Sequence, residues 1–329
     1  MNTPPLPRCP ARMTSPAWGL ARGALRDGPD VPRLPLPALR HKRWIYAGAF
    51  ARDLVVGAAV VDLGYAANAF AYVGALNGSP TRAWETVALP WQVAVDRRSA
   101  RWRAGAQELS ILLPEGGAAG HLRASLRAKG GPVDIDLALT APFADAPVTC
   151  VAPARPNAVD RWNLTTKDNT LRAKGDVRWA GARIALDDAA ITDVTDAYPA
   201  RDTVWNWASF AGADDRGRAV GLNLCALHND SDLARENALW VDGEPHALGA
   251  VRFEFDRAAR ERKPWRITGD GVDLRFTPSG ARGGDENLIV VMSRFTQPYG
   301  RFEGTVRAGE EVVRVDGISG VVEDHVARW

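Results

Sequence analysis

Tyr198-Pro-Ala-Arg-Asp-Thr-Val-Trp-Asn-Trp-Ala-Ser-Phe-Ala-Gly212 reads as a β-strand that opens a new unit just past the middle of the chain. Trp205, Trp207, Ser209 and Ala211 alternate with Asn206, Ala208, Phe210 and Gly212. Successive strand side chains point to opposite faces, so both indoles fall on one side. Asp214-Asp-Arg-Gly217 follows with turn chemistry. The next run, 219–226, alternates again, with Val220, Leu222 and Leu224 set against Gly221, Asn223 and Cys225. Two alternating runs joined by such a turn form a hairpin. The paired tryptophans have two readings: they fill a core, or at least one faces a ligand.

Working outward, the same texture extends both ways. Upstream, strands are expected at 44–50, 54–61, 69–73, 81–87, 108–113, 121–126 and 133–140, then as short pieces around Trp162, 170–172, 176–179 and 183–186. Downstream they are expected at 239–241, 246–255, 265–267, 272–276, 287–293, 301–306, 312–315 and 320–327. Asp242-Gly243, Asp270-Gly271 and Asp316-Gly317 are tight-hairpin signals. Pro298 and Gly300 suggest a turn over 297–300, with Tyr299 at the rim of a barrel. Short strands punctuated by Gly and Pro, with no long amphipathic helix, argue an all-β barrel or sandwich. Residues 142–160 read as irregular. Residues 1–40 are rich in Pro and Arg, which disfavours both helix and sheet. They form an irregular arm with Trp18 and Leu20 as docking points.

The two halves resemble one another. Trp44-Ile-Tyr-Ala-Gly-Ala-Phe50 parallels Trp205-Asn-Trp-Ala-Ser-Phe210, and Val133-Asp-Ile-Asp-Leu137 parallels Val272-Asp-Leu-Arg-Phe276. Gly175-Asp-Val-Arg178 parallels Gly304-Thr-Val-Arg307, and at the same offset 184–188 falls on 313–317. The matches keep their order, which supports a duplication. The expected organisation is an arm over 1–41, a first β-barrel unit over 42–197 and a second over 198–329.

Composition bounds the function. The chain has 329 residues, a length that suits two domains. A formal net charge of +2 gives no footprint for nucleic acid. Twelve tryptophans are many, and a buried indole N–H wants a partner, so amphipathic cavities or domain seams are expected. Cys9, Cys150 and Cys225 lie far apart without a Cys-x-x-Cys pattern, and the five histidines show no ligand spacing. Neither a metal site nor a cofactor is expected. No signal peptide or membrane-spanning run is evident, so a cytoplasmic location is expected, with peripheral lipid contact left open.

Several of these stretches carry a family resemblance. Thr203-Val-Trp-Asn-Trp-Ala-Ser209, Glu236-Asn-Ala-Leu-Trp240, Gln297-Pro-Tyr-Gly-Arg-Phe-Glu-Gly304 and Gly320-Val-Val-Glu-Asp-His-Val-Ala-Arg-Trp329, with Trp18-Gly-Leu-Ala-Arg22 and Lys42-Arg-Trp44, resemble the bacterial domain of unknown function 2804 family. More distantly, the duplicated β layout is similar to the two-domain lipocalin-like (calycin) group of carotenoid 1,2-hydratases, tocopherol cyclases and fungal pericyclases. That resemblance implies two tandem lipocalin-like barrels and a polyene or isoprenoid ligand. The group's Asp-His-Gln/Asn-Trp-Gly motif is met only at Asp324-His325, since Val326-Ala327 follows.

The densest titratable cluster is Glu323, Asp324 and His325. On a strand, Glu323 and His325 share one face and Asp324 takes the other. A buried carboxylate beside an imidazole is an acid/base candidate, because burial and pairing tune both groups. The alternative is a structural network with Arg294, Arg301 or Arg328. Candidate ligand contacts are Trp205, Asn206, Trp207, Asn237, Arg294, Gln297, Tyr299, Arg301 and Glu303. The second unit is expected to hold the more polar pocket, the first to be packed with Ala, Val and Gly. Three functions remain: binding an apolar small molecule in a barrel, acting on one as a cofactor-free lyase, hydratase or isomerase, or a structural or interaction role.

Overall fold

The computed structural model describes residues 5–10, 12–13, 17–25, 37–129, 131–155, 161–179, 181–287 and 291–329. Tight turns return the chain beside the strand just completed, which favours antiparallel pairing, and every pair between strands is antiparallel. Two sheets result, one of thirteen strands and one of nine among the described residues.

The sheets follow one path. Each unit has an opening strand, Lys42–Phe50 in the first and Asp202–Ala213 in the second. Three further strands lead away from it to one sheet edge, ending at Arg82–Ala88 or Glu244–Ala247. The chain then begins again at the opposite edge, Val93–Val95 or Val251–Glu254, and works back. A closing strand, Ala182–Ala197 or Glu311–Arg328, pairs with the opening one. Each sheet thus curls until strands adjacent in sequence form its two edges, giving a nearly closed barrel and a half-barrel.

The sequence parallels fall on equivalent strands of the two paths. Gly175 and Gly304 illustrate why they persist. Both have positive φ, 151° and 131°. A Cβ on either would meet a backbone carbonyl of the neighbouring strand, Asp136 O at 2.0 Å or Asp273 O at 2.2 Å. Only glycine tolerates both conditions.

Several local expectations change. The pieces expected between Trp162 and 186 are two long strands, Trp162–Trp179 and Ala182–Ala197, bent at an irregularity between Asp168 and Leu171. Part of the segment expected to be irregular is the strand Val148–Pro153, which pairs with both Trp162–Trp179 and Gly19–Arg22 of the arm. Residues 297–300 do not turn: they run inside the strand Met292–Ala308, and Tyr299 is fully buried rather than at a rim. Asp242-Gly243 and Asp270-Gly271 do make hairpins, but Asp316-Gly317 lies within a strand. There the pairing jumps from Glu303↔Asp316 to Phe302↔Ile318, so Gly317, with φ 68°, is the extra residue of a β-bulge.

Each barrel has its own apolar interior, one built around Ile45, Val56, Val60, Leu109 and Leu137, the other around Phe210, Leu224, Trp265, Phe276 and Phe302. A third apolar layer belongs to both units. Tyr46, Phe50, Phe70 and Tyr72 of the first pack against Trp207, Cys225, Tyr299 and Val321 of the second. The outer faces of the two opening strands therefore meet back to back. Among the described residues no helix is long and apolar enough to cross a membrane.

Candidate functional site

The seam between the units collects buried polar groups. Strand alternation explains why. On the closing strand of the second unit, Val322 faces that unit's interior, whereas Val321 faces the seam. Glu323 therefore joins Val321 on the seam side, and Asp324 turns inward.

Glu323 is 9% exposed and fully engaged. Its Oε1 accepts the Trp205 indole N–H at 2.8 Å and contacts His325 Nδ1 at 3.1 Å. Its Oε2 accepts from Gln297 Nε2 at 2.7 Å. Burial pushes the Glu323 carboxyl up, but His325, Arg282 and the Trp205 donor outweigh it, and the net shift is downward. The His325 ring lies 3.9 Å from Trp205, and its Nε2 meets Ser293 Oγ at 3.0 Å. Arg282 closes this side. Its guanidinium sits 3.6 Å from the Phe70 ring centroid and 4.5 Å from that of Phe295, and it donates to Glu85 at 3.3 Å.

The first unit contributes as much. Lys167 Nζ binds Asp193 Oδ2 at 2.7 Å, reaches Glu236 at 3.6 Å and lies 5.9 Å from the Trp207 ring. Burial would lower the Lys167 ammonium, but Asp193 and Glu236 hold it raised. One lysine serves two carboxylates and cannot neutralise both. Burial raises Asp193; Lys167 pulls against it, Glu236 and Glu323 push the same way as burial, and the net shift is upward. Glu236 is also raised by burial, but Lys167 and the Asn229 amide outweigh that and bring it down. The Tyr46 and Tyr72 hydroxyls lie 3.0 Å apart, and burial pushes Tyr72 up to about 12.

Beside the seam residues stand half-buried aromatics. The Trp329 ring lies 6.5 Å from both Trp44 and Trp205. His228 adds a further ring 6.1 Å from Trp205. Burial lowers His228 to about 4, which keeps it neutral. The surface hollows at Gly269, Asp273 and Arg307 and at Pro245 and His246 contain none of these groups.

The sequence candidates divide accordingly. Trp205, Trp207, Gln297, Tyr299, Glu323 and His325 meet at the seam. Asn206 and Asp324 face the second interior, where Asp324 accepts from Asn206 at 3.0 Å and from Arg260 at 2.7 Å. Asn237 braces the sheet, accepting from the Cys225 N–H at 2.6 Å and donating to Gly249 O at 2.9 Å. Glu303 and Arg294 are exposed, and Arg294 pairs with Asp285. Arg301 donates to the Gly317 and Arg52 carbonyls, and Arg328 pairs with Asp202. None of these arginines touches the Glu323 cluster, so the network expected from Arg294, Arg301 or Arg328 does not form; Arg260 and Arg282 stand in their place. Nor is the polar ground confined to the second unit. Lys167 and Asp193 do not stand out in the sequence, although Asn163, Thr165 and Lys167 alternate along one strand as a polar row. Among the described residues no group of three or more His, Cys, Asp and Glu could hold a metal ion.

The profile of a domain of unknown function, DUF2804, matches residues 13–329. The chain belongs to the DUF2804 family. No curated protein sequence matches this family member. Solved structures share its fold. A Nitrosomonas europaea protein provisionally named AttH is 12% identical over 90% of this chain and 97% of its own, with a TM-score of 0.55. Kievitone hydratase from Nectria haematococca is 12% identical over 98% of both chains, with a TM-score of 0.53. These neighbours place this DUF2804 chain in the lipocalin-like fold that its sequence resembles.

Proposed function

We propose that this chain takes an apolar small molecule, lipid- or isoprenoid-like, into the seam between its barrels and moves protons on it without a cofactor, as a lyase, hydratase or isomerase. One observation carries the reading. Glu323 is a carboxylate held low in proton affinity inside an aromatic layer, oriented by Trp205, Gln297 and His325. Such a carboxylate stays ionised, and what it offers a proton of a bound apolar molecule is fixed orientation rather than high basicity. One structural neighbour bears the name of a hydratase, a reaction within this class. Ligand carriage without chemistry is the second reading, favoured by how much of the seam is apolar.

A chromogenic probe separates them. 5-Nitro-1,2-benzisoxazole opens when a base removes its C3 proton and the N–O bond breaks, releasing a coloured cyanophenolate. Wild type is expected to turn it over saturably, and Glu323→Gln to lower kcat/KM by on the order of 10²-fold or more while still unfolding cooperatively. Equal turnover by the two proteins overturns the base. Saturable quenching of tryptophan fluorescence with no turnover leaves carriage alone.

A further inference from the structure

We propose that Asp193 is the proton donor that works opposite Glu323, so that the duplication supplies the site with its acid from one unit and its base from the other. The inference rests on the seam reading above and assigns the second half of the chemistry.

The register carries it. Asp193 stands opposite Tyr46 across the closing and opening strands of the first unit. Glu323 stands opposite Trp207 across the same two strands of the second. Two pairs farther along, on the same face, are Thr195 opposite Trp44 and His325 opposite Trp205. The two carboxyls thus occupy the same place in the repeat. The aromatic residues opposite them touch, Tyr46 meeting Trp207 edge-on at 5.9 Å between ring centroids. Both acids therefore look into one seam from its two walls.

Their bonding differs in a way that suits opposite tasks. Both Glu323 oxygens are held by donors, which suits an ionised carboxylate. Asp193 uses only Oδ2, toward Lys167; its Oδ1 is buried with no partner. A buried ionised oxygen left without a donor is costly. A protonated one becomes a donor that waits for an acceptor. Across the seam Gln297 Oε1 is also buried and unpartnered, so each wall leaves one polar atom for a bound molecule. Charge agrees in direction. Burial shifts Asp193 toward the protonated form, whereas nearby donors and cations shift Glu236 and Glu323 toward the ionised one. Two carboxyls driven apart in this way mark an acid and a base.

In hydration of a conjugated double bond, Asp193 gives its proton to one carbon and the oxygen of water bonds to the other. The proton that water loses passes to Glu323. The product carries one added water, and proton exchange with solvent returns the pair to its starting state. Elimination of water is the reverse.

The test uses two probes that differ in how much their leaving oxygen needs a proton. The nitro-substituted benzisoxazole releases a weakly basic phenolate, and unsubstituted 1,2-benzisoxazole a more basic one. Glu323→Gln is expected to slow both alike, because both lose the C3 proton to the base. Asp193→Asn is expected to slow the unsubstituted compound more, widening the rate ratio on the order of ten-fold or more. Asp193→Glu keeps a partner for Lys167 and displaces the acid by one methylene. It is expected to widen the ratio in the same direction, and it serves if the asparagine variant does not fold. An unchanged ratio in a folded Asp193 variant overturns the assignment of Asp193 and leaves Glu323 standing. Absence of wild-type turnover above Glu323→Gln overturns both.

Discussion

The two units share one strand path and differ in what surrounds a single equivalent position. In the first, the acid on the closing strand meets a lysine from the adjacent strand, Lys167 to Asp193 at 2.7 Å. In the second, the acid meets an amide from the adjacent strand, Gln297 to Glu323 at 2.7 Å, and is flanked by an indole and an imidazole. Despite that cation Asp193 is shifted up, because the site is deeply buried and Lys167 is shared with Glu236. Glu323 is shifted down instead, because His325, Arg282 and the Trp205 donor outweigh its burial. The lesson is that the identity of the nearest partner does not set a buried carboxyl's proton affinity. The balance of desolvation, donors and all nearby charges does.

Lys167→Gln copies the second unit's residue into the first and gives the largest expected effect. Asp193 and Glu236 would keep their burial and lose the cation they share. Removing one partner of a buried pair costs about 3–5 kcal/mol. Urea unfolding should show a loss of that size. A loss below about 1 kcal/mol, the range of exposed pairs, would mean that the two walls tolerate the same chemistry and that the contrast between them is false.

Asn169 tests how firmly the walls are held together. It sits at the irregularity in Trp162–Trp179 and reaches into the second unit, donating to Ser209 Oγ at 2.7 Å, Phe210 O at 3.3 Å and Leu222 O at 2.6 Å. The opposite surface is cut to receive it. A Cβ at Gly221 would lie 2.2 Å from the Asn169 carbonyl oxygen. Asn169→Ala leaves buried acceptors without a donor and is expected to cost about 2–3 kcal/mol in the same urea assay. If the loss is instead only a few tenths, the seam is held by its aromatic layer alone.

How much of this is legible in the sequence follows from what each feature depends on. The strands and the duplication depend on local alternation and turn chemistry, so they show in the sequence. Trp205, Trp207, Glu323 and His325 show because aromatic and titratable residues stand close together there. Asp193 does not, and the reason is one residue. A constant offset of 129 carries Gly175 to Gly304 and Asp187 to Asp316, but the bulge at Gly317 makes the next pairs differ by 130, and Asp193 then falls on Glu323. Strand faces alternate, so a one-residue slip moves every later side chain to the wrong side. The seam itself is hidden for another reason. An outer strand face that is covered by a second unit looks the same in sequence as an inner one, which is why the sequence points to a polar pocket within the second barrel rather than between the two.

Asp168 gives a smaller and purely pH-dependent contrast. It neighbours Lys167 on the same strand but faces the other way, is 6% exposed, and takes its hydrogen bonds from the Thr170 N–H at 3.0 Å and hydroxyl at 2.7 Å. Burial raises it to about 6 from the ordinary 3.8, with both Thr170 donors opposing. A carboxyl raised in the folded state adds stability that is complete below its unfolded value and is lost as pH climbs through the folded one. Between pH 4.5 and 8, a single group shifted from 3.8 to 6 therefore removes about 2 kcal/mol. Asp168→Asn keeps an acceptor for Thr170 and cannot ionise. Its stability relative to wild type should therefore improve by about that amount from pH 4.5 to pH 8, measured by urea unfolding at each pH. Glu323 and Glu236 are shifted down and act in the opposite sense, losing stability as pH falls, but they are present in both proteins and cancel in the difference. A difference that stays flat across this range would place Asp168 among ordinary solvated carboxylates.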